Sequence, residues 1–345
     1  MSQVGVLLVN LGTPHSTHPR SVKRYLIEFL TDRRVVDIPW ISRQVIMRSL
    51  VIPRRFKHSA KLYASIWTDK GSPLKVYGQS VKERLSSVLG SSFQVELAMR
   101  YQTPSIQEGL NRLRGVSHLL ILPLFPQYAS ATTGSIYESI FNIIRKWHVI
   151  PGLTCIDQFA THPSVIAAFC AKIRAFDLDR YDHIVFSYHG LPERQIKRAD
   201  PHGMCLSRQA CCERKSPSNR HCYAAQCVAM TKKIASQLNL DACHYTLSYQ
   251  SRFGKDPWLK PYTGTILKQL ATYGQKVVLV VCPAFVCDCL ETLYEIQVEY
   301  AEAFKQYGGE RLDLVKGLND HPMWIEALKE LVLDHLPRHV AFQTK

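Results

Sequence analysis

The 345-residue sequence has no apolar run long enough to cross a bilayer. Its two longest apolar stretches, residues 118–126 and 277–287, fall well short of the roughly 20 residues that a transmembrane helix needs, and each contains proline. The N-terminus lacks a cationic segment before its short apolar run, so we expect no signal peptide. These absences predict a cytoplasmic chain. In that reducing compartment we expect its eleven cysteines to be free thiols or ligands of a metal ion or cluster, in preference to disulfides.

The sequence also lacks the short motifs of several common enzyme classes. It contains no G-x-G-x-x-G and no G-x-x-x-x-G-K-[ST], so neither a dinucleotide site nor a P-loop is indicated. H-E-x-x-H and G-x-S-x-G are absent as well, which removes two frequent hydrolase signatures.

The composition is that of an ordinary globular enzyme, with 46% hydrophobic, 10% aromatic and 21% charged residues. Its length favours two medium domains over one. Lys and Arg number 43 against 28 Asp and Glu, which gives a net charge of +15. Some face must therefore attract anions, such as nucleic acid, acidic headgroups or a carboxylated ligand, and charge alone does not choose among them.

Short β-type runs alternate with segments of helical periodicity along the whole chain. The predicted strands cover 4–9, 93–98, 118–124 and 153–156, then 181–188, 243–248, 276–281 and 312–315. The helix candidates between them include 73–89, 132–147, 163–175, 261–271, 287–304 and 322–335. This βαβα order predicts an α/β protein with two doubly wound, Rossmann-like domains, each built on a parallel four-stranded sheet.

We place the boundary between the two predicted domains near residue 160, giving domains 1–160 and 161–345. The sequence leaves open whether the last helix packs on the second domain or returns to the first. In doubly wound folds the chemistry collects beyond the carboxyl ends of the strands, so the residues that follow each strand are the first candidates for a site.

His189 directly follows the predicted strand 181–188 and is the best placed of the fourteen histidines. A single histidine in such a position is more often a capping or packing residue, so the assignment needs a partner. The helix after strand 276–281 offers one, since Glu291, Glu295 and Glu299 recur at i, i+4 and i+8. The alternative is a solvated acidic face, but in a basic protein this stripe suggests a route for a cation or protons.

Two loops at expected site positions carry rings and hydroxyl groups. Residues 126–134 combine one tyrosine with several hydroxyls, and residues 248–259 mix polar groups with two large rings. Such segments suit a flat apolar ligand with acidic edges, although helix capping and core packing explain each of them equally well.

Seven segments closely resemble the ferrochelatases, which insert ferrous iron into protoporphyrin IX. They are LVNLGTP (8–14), FPQYASATTGS (125–135), SYHGLPER (187–194), SYQSRFG (248–254), PWLKPYT (257–263), CPAFVCDCLETLYEI (282–296) and GLNDHPMWI (317–325). The resemblance covers nearly the whole chain. It implies two Rossmann-like domains with a porphyrin cleft between them.

The resemblance also implies roles for individual residues. His189 and Glu291 form the central pair that binds Fe²⁺ or accepts the pyrrole protons, and the sequence does not decide which does which. Glu295 and Glu299 line the acidic route. The residues implied to contact the porphyrin are Arg55, Tyr63, Ser72, Arg100, Tyr128, Ser130, Gln250, Ser251 and Trp258.

A basic, Trp-containing region in the N-terminal quarter alternates cations with large apolar residues over residues 33–61. This pattern suits peripheral contact with an acidic membrane surface, and a solvated helix face is an equally weighted alternative. The resemblance places the region at the lip of the porphyrin cleft.

The segment 202–227 is a cysteine-rich insertion of a length that needs its own source of order. Its five thiols belong to Cys205, Cys211, Cys212, Cys222 and Cys227. The resemblance to the ferrochelatases that carry a [2Fe–2S] cluster implies that four of the five hold such a cluster. A zinc ion is the alternative, and a reduced, unordered loop is a third, less favoured one.

Two other functions compete with iron insertion into a porphyrin. A cobalt or sirohydrochlorin chelatase of related fold is disfavoured by the full-length motif match. A redox-sensing nucleic-acid binder would use the basic surface and the cysteines, but it leaves His189 and its acidic helix unexplained. We therefore expect a porphyrin and Fe²⁺ as partners and no nucleic acid.

Overall fold

The computed structural model describes residues 4–207, 210–213 and 216–337. These residues form two compact units. The first consists of residues 4–125, 129–158 and 320–337, and the second of residues 126–128 and 159–319.

The first unit is built on a four-stranded parallel sheet. Its strands are β1 (Val4–Gly12), β2 (Phe93–Tyr101), β3 (His118–Pro123) and β4 (Gly152–Cys155), in the order β2-β1-β3-β4. The central strands β1 and β3 are runs of Val, Leu and Ile that are almost completely buried, as expected for a parallel sheet covered on both faces.

The helices of the first unit lie mostly between β1 and β2, with single helices after β2 and β3. They are α1 (Pro19–Leu30), α2 (Trp40–Val45), α3 (Ile52–Ile66), α4 (Pro73–Leu89), α5 (Ile106–Arg112), α6 (Ser135–Ile144) and α12 (Pro322–Asp334). Two π-helical segments, Ile46–Val51 and Ser130–Gly134, precede α3 and α6. The last helix, α12, packs against α4, and the Ser80 hydroxyl donates to Asp320 Oδ2 over 2.7 Å.

The second unit repeats the same sheet. Its parallel strands β5 (His183–His189), β6 (Tyr245–Gln250), β7 (Val277–Val281) and β8 (Arg311–Val315) lie in the order β6-β5-β7-β8. Its helices are α7 (Pro163–Arg174), α8 (Glu193–Arg198), α9 (Tyr223–Gln237), α10 (Thr263–Thr272) and α11 (Ala301–Gln306).

The predicted α/β fold with two four-stranded parallel sheets is therefore confirmed. In each sheet the strand order reverses beside the first strand, so the chain winds outward in both directions from there. This switch point leaves a crevice beyond the carboxyl ends of the strands, which is where doubly wound folds bind ligands. In the second unit those ends belong to β5 and β7.

Two predicted α-helices contain π-helical turns instead. The predicted helix 287–304 is a π-helix over Glu291–Tyr300 followed by α11, and the predicted helix 132–147 begins as the π-helix Ser130–Gly134. Side chains four residues apart stay near one another in both helix types, so their spacing does not distinguish i→i+4 from i→i+5 bonding. Among the residues that the structure describes, no helix is long and apolar enough to span a membrane.

Candidate active site

The last residues of β5 and β6 form the base of the site in the second unit. His189 pairs with Gln250 at the end of the β5–β6 ladder, and Gly190 then donates its N–H to the Gln250 carbonyl over 2.9 Å. A Cβ atom on Gly190 would lie 2.9 Å from that oxygen and 3.1 Å from the Trp258 ring. Only glycine fits this close approach, which turns the chain away immediately after His189.

The half-buried His189 ring is oriented by its own backbone and by two aromatic neighbours. Its Nδ1 lies 2.7 Å from the Gly190 carbonyl, which can only accept, so Nδ1 carries the proton. The ring centroids of Trp258 and Phe285 lie 6.5 and 6.3 Å away. In the neutral imidazole, Nε2 therefore keeps the lone pair that can accept a proton or bind a metal ion.

The acidic π-helix Glu291–Tyr300 is held by the residues that end β6. Gln250 Nε2 donates to the Glu291 carbonyl over 3.1 Å. Ser251 donates to the Glu295 carboxylate twice, from its backbone N–H over 2.8 Å and from its hydroxyl over 2.5 Å. Ser251 has a positive φ of 64°, which is uncommon for a residue other than glycine. In this conformation both its N–H and its hydroxyl donate to Glu295.

Glu295 connects the charged groups of the site. Burial raises the pKa of its carboxyl above the usual value, Glu291 raises it further, and the Ser251 hydrogen bonds and His189 oppose the rise. His189 pairs with Gln250, Gln250 binds the Glu291 carbonyl, and Ser251 binds Glu295, so His189, Glu291 and Glu295 share one neighbourhood. Glu299 is exposed, and together with burial and Glu295 it raises the pKa of Tyr300. The three carboxylates thus run from the half-buried interior to the surface.

Asp288 anchors the start of the π-helix. Its buried carboxylate accepts hydrogen bonds from the Gly317 N–H over 2.9 Å, from Asn319 Nδ2 over 2.7 Å and from the Thr292 hydroxyl over 3.2 Å. Asn319 Oδ1 in turn accepts from the Asp288 N–H over 2.9 Å. Residues 317–319, in the loop after β8, therefore hold Asp288 and the start of the acidic helix in place.

A buried polar network supports Gln250 from below. The Ser187 hydroxyl donates to Gln250 Oε1 over 2.7 Å and contacts the Thr263 hydroxyl at 2.8 Å. Thr263 also contacts the Ser248 hydroxyl at 2.9 Å. Since Gln250 is only 1% exposed, its amide is committed to these groups and to the Glu291 carbonyl.

Four of the five cysteines of the insertion form one group, which we call the thiol group: Cys205, Cys211, Cys212 and Cys222. Cys212 Sγ lies 3.6 Å from Cys211 Sγ and 4.0 Å from Cys222 Sγ, and burial, together with Cys222, raises the pKa of the Cys205 thiol. The hydrogen bond from Cys212, with help from the N–H groups of Ala225 and Ala224, lowers the pKa of the Cys222 thiol to about 6.

Cys227 stands apart from the thiol group. It is fully buried one turn into α9, where burial raises the pKa of its thiol well above the usual value and Tyr223 opposes part of the rise. Within the described ranges 4–207, 210–213 and 216–337, no three or more His, Cys, Asp or Glu side chains are arranged around a common metal position.

The family model and the curated relatives give the same family. The family model for ferrochelatase matches residues 3–336. The chain is 43% identical over 328 residues to the ferrochelatase of Legionella pneumophila strain Lens, covering 95% of this chain and 98% of that one. It is 40% identical over 334 residues to the ferrochelatase of Coxiella burnetii strain Dugway 5J108-111, covering 96% and 93%.

The chain belongs to the ferrochelatase family. Solved structures agree at the level of the fold. SirB from Bacillus subtilis with Fe³⁺ has a TM-score of 0.53 at 11% identity and covers 98% of this chain and 96% of that one. CbiX, described as the terminal enzyme of sirohaem biosynthesis in denitrifying bacteria, has a TM-score of 0.50 at 12% identity and covers 96% and 100%. At such identities the likeness shows the fold alone.

The ferrochelatase candidates in the first unit occupy three different settings. Ser72 is buried at the start of α4, with its hydroxyl 2.8 Å from that of Thr13. Tyr63 is buried against the edge of Tyr25, with ring centroids 6.0 Å apart. Arg55 lies exposed on α3.

Arg100 and Ser130 are held by charged partners of the first unit. Arg100 Nη2 pairs with Asp32 Oδ2 at 2.7 Å, and its Nε donates to the Ser135 hydroxyl over 2.7 Å. Burial alone would raise the pKa of Asp32, but hydrogen bonds from Ser135 and Arg34 together with the charge of Arg100 lower it overall. Ser130 accepts from Arg34 Nη1 over 3.0 Å.

Tyr128 and Trp258 lie in the second unit with His189. Tyr128 is half-buried, and its N–H donates to Gln226 Oε1 over 2.7 Å. Trp258 is 8% exposed and contacts the chain on both sides of Gly190. The second unit thus brings together His189, Glu291, Glu295, Gln250, Ser251 and Trp258.

Sequence reasoning missed several residues that hold the candidates in place, namely Asp32, Asp288, Asn319, Tyr223 and Gln226. No local sequence signal marks the first three, because the burial of the Asp32 and Asp288 side chains and the φ of 51° at Asn319 arise only in the folded chain. The other two look like ordinary helix residues.

Replacing Ser251 tests its hold on Glu295. Ser251→Ala removes a donor that stabilises the carboxylate, so the pKa of Glu295 should rise further and its protonated form should persist to higher pH. The measurement is the infrared band of the protonated carboxyl as a function of pH, identified by its loss in Glu295→Gln. Ser248→Ala, three residues earlier in β6 and bonded to Thr263, should leave that titration unchanged. An identical titration midpoint in Ser251→Ala and the unmodified protein would contradict the assignment.

Proposed function

We propose that this ferrochelatase-family chain inserts Fe²⁺ into protoporphyrin IX to form haem, with release of two protons. The observation that carries the proposal is the group at the switch point of the second unit. There, His189 at the end of β5 pairs with Gln250, whose amide donates to the Glu291 carbonyl, and the next residue, Ser251, donates to the Glu295 carboxylate. An imidazole and carboxylates of this kind supply the base and the oxygen or nitrogen ligands that the reaction requires.

The reaction divides naturally between two kinds of group. The porphyrin loses two N–H protons while hydrated Fe²⁺ sheds its waters, so a base and replacement ligands must act together. We assign the proton acceptor to His189, because the hydrogen bond from Nδ1 to the Gly190 carbonyl leaves Nε2 as the lone-pair atom. Glu291 then supplies an oxygen ligand to the substrate iron. Glu295 and Glu299 form the acidic route along which iron enters or protons leave.

The remaining candidates are assigned to the porphyrin. Binding the ring bent exposes its nitrogen lone pairs, so a pocket that prefers the bent ring favours the transition state over the flat ground state. Gln250 and Ser251 serve this site chiefly by holding Glu291 and Glu295. The residues proposed to bind the ring and its propionates are Arg55, Tyr63, Ser72, Arg100, Tyr128, Ser130 and Trp258.

Removal of the imidazole tests the central assignment. His189→Ala should lower kcat for iron insertion by about 10²–10⁴-fold, the usual contribution of a positioned base, while the urea midpoint of unfolding stays close to that of the unmodified protein. The measurement is the absorption spectrum of protoporphyrin incubated anaerobically with Fe²⁺. His244→Ala, an exposed histidine before β6, should keep full activity. Turnover by His189→Ala within a few-fold of normal would remove His189 from the mechanism.

We also propose that the thiol group holds a [2Fe–2S] cluster. Two thiolates on one tetrahedral ion at 2.3 Å lie about 3.8 Å apart, so the 3.6 and 4.0 Å separations around Cys212 suit shared ligation. The lowered pKa of Cys222 favours the thiolate, which is the ligating form. Cys205, Cys211, Cys212 and Cys222 are the proposed ligands and Cys227 is not, because it is buried beside Tyr223. When bound, such a cluster supplies a one-electron centre and a cross-link within the insertion.

Single cysteine variants distinguish the proposed ligands from the fifth cysteine. Protein purified anaerobically should be coloured and contain iron and acid-labile sulfide before any porphyrin is added. Cys212→Ser should lose the colour and the sulfide, and Cys227→Ser should retain both. A colourless, iron-free unmodified protein, or equal loss in the two variants, would contradict the cluster. Zinc in place of iron and sulfide would assign the thiol group to the alternative metal.

We further propose that the segment around α2 contacts an acidic membrane surface. Trp40, Ile41 and Val45 are 66%, 69% and 58% exposed, a concentration of large apolar side chains that a solvated helix face does not require. Arg48, on the π-helix that follows α2, and Arg54, on α3, are exposed close by in the sequence. Apolar side chains with neighbouring cations are the combination that binds anionic lipid at its interface.

Vesicle binding tests this contact against a matched patch. Trp40→Ser with Ile41→Ser should weaken co-sedimentation with vesicles that contain phosphatidylglycerol, because burial of both side chains is lost. Val149→Ser with Ile150→Ser, which alters a comparably exposed apolar pair of the first unit, should have no effect. Equal binding by the unmodified protein and the Trp40 variant, or no preference for anionic over neutral vesicles, would rule the contact out.

A further inference from the structure

The first turn of α9 joins the thiol group to the candidate active site. Cys222 is the N-cap residue of this helix and a member of the thiol group, and Tyr223 follows it directly. Tyr223 and Gln226 are 6% and 1% exposed, so both place a polar group in the interior of the second unit. Buried polar groups of this kind are costly unless they are bonded, and both are bonded to candidate site residues.

Tyr223 holds the peptide group that follows His189. Its hydroxyl donates to the His189 carbonyl oxygen over 2.9 Å. The N–H of the same peptide, from Gly190, donates to the Gln250 carbonyl over 2.9 Å. The peptide plane is therefore fixed at both ends, and the carbonyl of Gly190 in turn accepts from His189 Nδ1. Tilting this plane would tilt the imidazole.

Gln226 gives the same helix turn a second attachment. Its Oε1 accepts from the Tyr128 N–H over 2.7 Å, and its Nε2 donates to the Arg220 carbonyl over 3.1 Å. The Tyr128 ring meets the edge of His221 with centroids 5.5 Å apart. Tyr128 and His189, the latter at the end of β5, are thus both tied to one turn of α9.

We propose that Tyr223 is a positioning residue for His189 and that it transmits the state of the thiol group to the imidazole through Cys222. The inference rests on the proposed role of His189 in iron insertion. Tyr223 acts on the backbone of His189 and contributes no reacting group. Cys222 and Tyr223 are consecutive. A displacement of Cys222 when the thiol group binds or loses a metal ion or cluster therefore also moves Tyr223, and with it the hydroxyl that binds the His189 carbonyl.

Tyr223→Phe tests the positioning role, with Tyr188→Phe as its matched control. Both tyrosines are buried and both hydroxyls connect β5 with α9, but the Tyr188 hydroxyl contacts that of Thr231 at 2.8 Å and not the His189 carbonyl. Tyr223→Phe should lower kcat by about 10-fold to 100-fold with little change in KM for porphyrin, since small misplacements of a reacting group cost this much. Tyr188→Phe should keep kcat within a few-fold of normal.

A spectroscopic reading separates positioning from loss of stability. In protein labelled with ¹⁵N-histidine, the His189 imidazole signal, identified by its absence in His189→Gln, should shift in Tyr223→Phe and stay in place in Tyr188→Phe. Should Tyr223→Phe fold poorly, 3-fluorotyrosine at position 223 keeps the ring and hydroxyl and should shift the same signal, whereas 3-fluorotyrosine at position 188 should not.

A double-mutant cycle tests the transmission. Cys222→Ser should move the His189 signal and lower kcat when Tyr223 is present, and should have no further effect in the Tyr223→Phe background. Effects that multiply independently would overturn the transmission, and equal behaviour of Tyr223→Phe and Tyr188→Phe would overturn the positioning role. The proposed function of His189 is tested by a different variant, His189→Ala. Normal turnover by that variant would overturn the role of His189 and this inference with it.

Discussion

The pairing of His189 with Gln250 on the last rung of β5 and β6 is the constraint on which the candidate active site depends. The imidazole is carried by one strand end, while the other carries the amide that binds the Glu291 carbonyl and, one residue later, the serine that binds Glu295. A shift of one residue in this register would turn His189 to the opposite face of the sheet. The buried network of Ser187, Ser248 and Thr263 fixes that register from inside.

The sequence predicts the fold well because its signals are local. Eight short apolar runs separated by helical segments predicted both parallel sheets, and the structure confirms them with the same strand order in each. The position of His189 at a strand end follows from the same reasoning. No local signal marks the π-helix Glu291–Tyr300. Its start is held by Asp288, whose partners Gly317 and Asn319 lie 29 and 31 residues further along the chain.

The candidate site could be predicted only in part, because the contacts that hold it join residues far apart in the sequence. Motif resemblance grouped Gln250 and Ser251 with the porphyrin, whereas the structure gives both side chains partners on the acidic helix. These partners lie 41 and 44 residues along the chain, and only the folded sheet brings them together. Five cysteines indicated a ligand set, and the resemblance left open whether Cys227 is the spare one. Its burial within α9 is a tertiary property that the sequence does not show. Tyr223 has no signal at all, because a tyrosine in the first turn of a helix is unremarkable until its hydroxyl meets a strand end.

The two units differ in how their residues are distributed along the sequence. Residues 126–128 and 159–319 belong to the second unit, while the segments before, between and after them belong to the first, so the first unit closes only when α12 packs on α4. A ribosome therefore completes the second unit before the first has its last helix. A single cut near residue 160 would not release two finished halves, since the N-terminal fragment would present to water the face of α4 that α12 covers. Any split-protein or domain-exchange experiment on this scaffold has to carry residues 320–337 with the N-terminal part.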